Sequence, residues 1–184
     1  MNFDIKGVEL DDNHYVIKQA LYRNKYRVED SSGKTVLKTK QKLLKMKEEF
    51  PFTNSDEDTV FSIKAKNLMD IAGDYALIDE ETGETFATLE KKFTFFKHDW
   101  KVKNSEGQEI ARIESASFGL EVMRSLVGFL NLIPQKYDIS RGEDKIGSLN
   151  GRFKLRDVYD LKFDEKVSEP LIAAAVAVDA LEHN

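Results

Sequence analysis

The chain has 184 residues, three prolines, ten glycines, no cysteine and a formal net charge of −5. That length suits one domain with a sizeable core, and twelve Phe, six Tyr and one Trp supply the apolar area that a disordered chain lacks. The missing cysteines exclude a disulfide framework, a thiolate nucleophile and a Cys-based zinc site.

The first residues, MNFDIKGVELDD, contain neither the basic n-region nor the apolar h-region of a secretory signal. No apolar run approaches the ~18–20 residues of a membrane span. The expectation is a cytoplasmic protein without a transmembrane segment, at most peripheral at a membrane. From Ile17 to Lys47 there are ten Lys/Arg against only Glu29 and Asp30, a local charge of +8 that leaves −13 for the remainder.

A strand pattern begins within that basic segment. Residues 26–30 (YRVED) run into Gly33, 75–79 (YALID) into Gly83, and 100–104 (WKVKN) into Gly107. An aromatic start, alternation, then Asp/Asn and Gly predicts a strand entering a tight turn, where φ > 0 is needed. The outgoing stretches 34–38, 84–89 and 108–114 supply the hairpin partners. Pairs fifty positions apart also match, among them Val36 and Phe86, Lys42 and Lys92, Phe50 and Trp100, and Ile63 and Ile113. Residues 26–65 and 75–115 thus read as two copies of a four-strand unit, with a shorter third copy after 137. Such spacing predicts an all-β sandwich or barrel.

Two segments read as helices instead. One spans about 117–133, where Val122, Leu126, Leu130 and Ile133 keep helical spacing and Pro134 follows. The other spans about 169–182, with Ser168 or Glu169 as cap and Pro170 in its first turn. From Leu171 to Val178 this second helix has no polar residue. A helix apolar on every face belongs in a core or a membrane. About 14 residues at 1.5 Å each are too short for a bilayer, so the expectation is a helix enclosed by a closed sheet.

Several stretches carry a family resemblance: 40–42 (KQK) with 46–50 (MKEEF), 91–98 (KKFTFFKH), 151–156 (GRFKLR) and 173–182 (AAAVAVDALE). With the twofold hairpin pattern, the chain resembles the LURP-one-related family of the tubby C-terminal-like superfamily from residue 15 onward. The resemblance implies a single domain built as a closed antiparallel barrel of about twelve strands around the C-terminal helix. Similar proteins include plant defence-associated proteins, tubby proteins and phospholipid scramblases. This chain lacks the scramblases' cysteine-rich segment and Pro-rich N-terminus, and Asp179 disfavours membrane insertion of the last helix.

No catalytic motif is present. His14, His98 and His183 have no metal-ligand spacing, and His98 reads as a solvated turn histidine. The acidic pairs read as solvated turns, and Asp56–Asp58 lacks the alternation and Gly of an EF-hand. No enzyme activity, metal or cofactor is expected. Arg23, Lys25 and Arg27 alternate along one strand and so share a face; Lys38, Lys40, Lys42, Lys45 and Lys47 follow. Such a face suits an anionic lipid headgroup or another phosphorylated ligand. The plainer reading of the same lysines is a solvated surface. The resemblance adds that tubby proteins bind phosphoinositides through basic barrel residues. Nucleic acid is disfavoured, since no aromatic residues interleave the lysines as a stacking platform. The alternative is a protein-interaction adaptor that presents Phe118, Met123 and Phe129 of the first helix to a protein partner.

Overall fold

A computed structural model describes residues 3–20, 25–40, 49–66, 73–93, 98–115, 136–152 and 158–182. The helix expected over 117–133 lies outside these described residues. Twelve strands follow one another: β1 (His14–Ala20), β2 (Lys25–Glu29), β3 (Thr35–Lys40), β4 (Glu49–Thr53), β5 (Thr59–Ala65), β6 (Asp74–Asp79), β7 (Thr85–Phe93), β8 (His98–Asn104), β9 (Glu109–Ser115), β10 (Lys136–Arg141), β11 (Asp144–Gly151) and β12 (Val158–Phe163). Each pairs antiparallel with its chain neighbours, and β1 pairs with β12 to close the barrel, as His14 opposite Lys162 and Tyr15 opposite Leu161. Closure leaves no free sheet edge.

The turns at one end share a local device. Asp30 Oδ1 accepts the amides of Ser32 and Lys34 at 2.9 and 3.0 Å; Asn54 Oδ1 accepts those of Asp56 and Asp58; Asn104 Oδ1 accepts those of Glu106 and Gln108. Gly33 and Gly107 take φ of 85° and 78° there, whereas Glu57 adopts φ of 71°. The chain reversal thus survives without glycine at 54–58 because the Asn54 side chain holds it. Among the described residues, five hairpins carry a register shift just before this end, at Val28/Glu29, Phe52/Thr53, Leu77/Ile78, Val102/Lys103 and Ile139/Ser140. Bulges increase local twist and bend the strands toward closure.

Helix α1 (Glu169–Glu182) runs through the barrel, with every residue from Pro170 to Ala180 buried. It lies nearest β7, β8 and β9, and Ala173, Ala174, Ala175 and Ala177, all buried, keep it slim enough to be enclosed. Aromatic rings fill further space in the core. Tyr26, Phe52, Phe61, Phe86 and Phe3 follow one another with centroids 6.0, 4.7, 5.8 and 5.5 Å apart, distances at which ring pairs attract beyond their buried area. Glu169, in the first turn of α1, accepts the amides of Ile5 (2.8 Å) and Leu10 (3.0 Å). These bonds strap residues 3–10 across the barrel end, and Ile5 and Leu10 are buried there.

Gly147 meets the facing strand closely. A Cβ at this position would lie 2.6 Å from the Lys162 carbonyl oxygen and 2.9 Å from Phe163 Cδ1. Backbone cannot retreat as a flexible side chain can, so Gly147→Ala is expected to destabilise by about 1–3 kcal/mol. A chemical denaturation midpoint equal to the parent's would contradict that packing.

Candidate functional site

The basic face is assembled by β1, β2 and β3. Tyr26 and Val28 point inward and are buried, as are Leu37 and Thr39, so the alternate positions face out. Register places Lys18 opposite Arg27, and Arg27 opposite Lys38. Three cations therefore form one row across three adjacent strands. Lys25 and Lys40 are register partners two positions further along β2 and β3; their side chains lie outside the described residues. So do Arg23, Lys42, Lys45 and Lys47, and likewise Phe118, Met123 and Phe129. Of the expected basic face, the structure brings Arg27 and Lys38 together directly.

Sequence reasoning missed how this row is neutralised. The Glu29 carboxylate accepts Lys18 Nζ at 2.5 Å and lies 3.2 Å from Arg27 Nε. Lys38 Nζ donates to the Ser55 carbonyl oxygen at 3.0 Å. Arg27 still has 55% of its side-chain surface exposed and Lys18 38%. Both cations keep solvent-facing surface beside the mostly covered Glu29, and ammonium and guanidinium groups carry several N–H donors, so a further acceptor such as phosphate has donors to meet. The spacing of Arg27 and Glu29 was readable as one face; the Lys18 contact needed the β1–β2 register.

Other polar groups cluster where α1 ends. The Glu182 side chain is 2% exposed. Its Oε1 accepts Trp100 Nε1 at 2.6 Å and Lys91 Nζ at 2.8 Å, and its Oε2 pairs with His98 Nδ1. Lys91 also sits 5.0 Å from the Trp100 ring centroid. His98 is exposed, as expected of a solvated histidine, but it does not stand alone. It starts β8 and pairs with Glu182 at the helix C-terminus, where Lys91 supplies the cation that such an end favours. Deeper in the barrel Asp179 accepts Tyr26 Oη (2.9 Å) and Gln19 Nε2 (3.2 Å); burial, reinforced by this carboxylate, raises the Tyr26 phenol well above its ordinary pKa. No sequence spacing signalled either cluster, because both join residues more than eighty positions apart.

At the opposite end a cleft of about 660 Å³ opens beside the first turn of α1, floored by Phe3, Phe86, Ile110 and Leu171 and rimmed by Arg141 and Lys166. Among the described residues no group of three His, Asp or Glu side chains is placed to hold a metal ion. No described helix is long and apolar enough to cross a membrane.

Near the same end Asp12 ties β1 to the β2–β3 turn. The Ser31 hydroxyl and amide, with the amides of Asn13 and His14, hold its pKa at about 2 against an ordinary 3.8. A depressed carboxylate stabilises the fold above its unfolded pKa, and that contribution is lost as pH falls through the folded value. Thermal unfolding of the parent should therefore weaken more steeply between pH 4 and pH 2 than that of Asp12→Asn. Parallel acid limbs would count against the Ser31 contact.

Residues 13–178 match the LURP-one-related family model. The X-ray structure of a protein from Arabidopsis thaliana is similar over 97% of this chain and 96% of that one, with a TM-score of 0.57 and 11% identity. At that identity the likeness is one of fold. Among curated proteins there is no match. With nearly the whole length matched, the chain belongs to the LURP-one-related family.

Proposed function

We propose that this protein is a non-enzymatic binding module whose outer β1–β3 face takes up an anionic lipid headgroup or another phosphorylated ligand. The observation that carries this reading is the row Lys18, Arg27, Lys38, continued in register by Lys25 and Lys40. The row joins guanidinium and ammonium groups on a rigid wall, with a single carboxylate, Glu29, bridging Lys18 and Arg27. Phosphate oxygens accept from such groups more strongly than neutral acceptors do. The clusters around Glu182 and Asp179 serve the seating of α1, which supports a binding rather than a catalytic role.

The test is co-sedimentation with phosphatidylcholine and phosphatidylserine vesicles. Each lysine near an anionic surface contributes about 1 kcal/mol. A Lys38→Glu/Lys40→Glu variant should therefore lose phosphatidylserine binding by about thirtyfold or more, and salt should weaken the parent's binding. Equal partition onto neutral and anionic vesicles, or an unaffected variant, would contradict the proposal.

A further inference from the structure

The barrel is electrically polarised along its axis. The segments that close one end are 3–13, 30–34, 54–58, 80–84, 105–108, 142–143 and 164–168. They hold fifteen acidic residues and three basic ones, a local charge of −12 on a chain of net −5, so everything else carries +7. The first turn of α1 opens at this acidic end, where the positive pole of the helix is favoured. Its last turn lies at the far end, with Lys91 and His98 on Glu182.

The far end carries exposed cations around its circumference. Lys66 follows β5, Lys92 is near the end of β7, Lys136 begins β10 and Arg152 follows β11, all exposed. Lys25 at the start of β2 and Lys40 at the end of β3 reach the same end. Arg152 is paired with Asp160, and Glu49 and Asp74 also start strands there, so the rim is mixed in sign, whereas the opposite end is overwhelmingly acidic.

We infer that the molecule meets an anionic surface end-on, with the rim of Lys66, Lys92 and Lys136 and the strand ends at positions 25 and 40 toward it, and the acidic turns pointing away. Tilted strands of six residues separate the two ends by about 15 Å, roughly two Debye lengths at physiological ionic strength. An end-on approach keeps the acidic end beyond effective repulsion. A flat side-on approach brings it within range and weakens the pull of the basic row, whereas the end-on one presents that row from the edge where it ends at positions 25 and 40. The acidic end thereby fixes orientation rather than binding anything itself. This inference rests on the proposed function for the identity of the surface, but not for the polarity.

The chain's lack of cysteine allows two single-label variants. Ser105→Cys marks the acidic end and Asn150→Cys the far end, each carrying an environment-sensitive fluorophore, with phosphatidylserine vesicles that contain a quencher lipid. Quenching several-fold stronger at position 150 is expected; equal quenching, or stronger quenching at 105, would overturn the inference. Retention on a sulfonate cation exchanger at pH 7 and low salt tests polarity without lipid. A protein of net −5 should be held there through its basic end, and flow-through would overturn the inference even if vesicles bind. Retention without vesicle binding would instead sink the lipid reading and leave the polarity standing.

Discussion

Ala174→Asp is expected to prevent folding, or to leave a chain that melts far below its parent. Ala174 is fully buried in the middle of α1, with buried neighbours on every face of the helix. A carboxylate placed there has no cation to meet, and an uncompensated buried charge costs several kcal/mol, comparable with the whole stability of a domain. Ala174→Gly serves as the control. It carries no charge, costs about 1 kcal/mol of helix propensity and should still unfold cooperatively at a lower temperature. If the aspartate variant melted with the glycine variant, α1 would not be enclosed.

Trp100→Ala should be the other severe loss, about 3–5 kcal/mol from cavity and transfer terms together. The ring is 1% exposed, underlies Lys91 and donates to Glu182. Trp100→Phe separates these roles. It keeps most of the apolar volume but removes the indole donor, leaving Glu182 with Lys91 and His98 as partners. Its cost should be clearly smaller than that of Trp100→Ala, and Lys91→Met on the Trp100→Phe background should be more damaging than on the parent, since one donor to Glu182 is already lost. Urea denaturation of the set reads this directly. Equal losses for Phe and Ala at position 100 would mean that the indole hydrogen bond, not packing, dominates.

The barrel was legible because its signals are local. Residues 26–30 and 100–104 alternate into an Asp/Asn turn, and the structure puts Asp30 and Asn104 at the acceptor positions of those turns. The unbroken apolar stretch from Leu171 to Val178 forced an enclosed helix, since a 14-residue α1 buries all its faces only inside a closed wall. Less could be read of the site. Arg27 and Lys38 were placed on a common face by period and hairpin logic, and they are register partners. Glu29 also bridges Lys18 and Arg27, and this depends on strand pairing that composition does not encode. The His98–Glu182 pair joins a strand start to the end of the last helix, so no window of sequence contains it. The axial charge asymmetry is different in kind. The acidic stretch Asp56–Asp58 and the turns into Gly33, Gly83 and Gly107 were visible in the sequence, but only the up-and-down order of the strands gathers them, with 142–143 and 164–168, at one end.

The proposed working surface is the β1–β3 wall. Amide chemical-shift mapping with short-chain phosphatidylserine tests it most directly. The largest changes should fall on Lys18, Arg27 and Lys38, fade with added salt, and leave Thr82 and Gly107 at the acidic end unmoved. Changes centred instead on Phe3, Phe86 and Leu171 around the cleft, or none on β1–β3 at low salt, would contradict the claim.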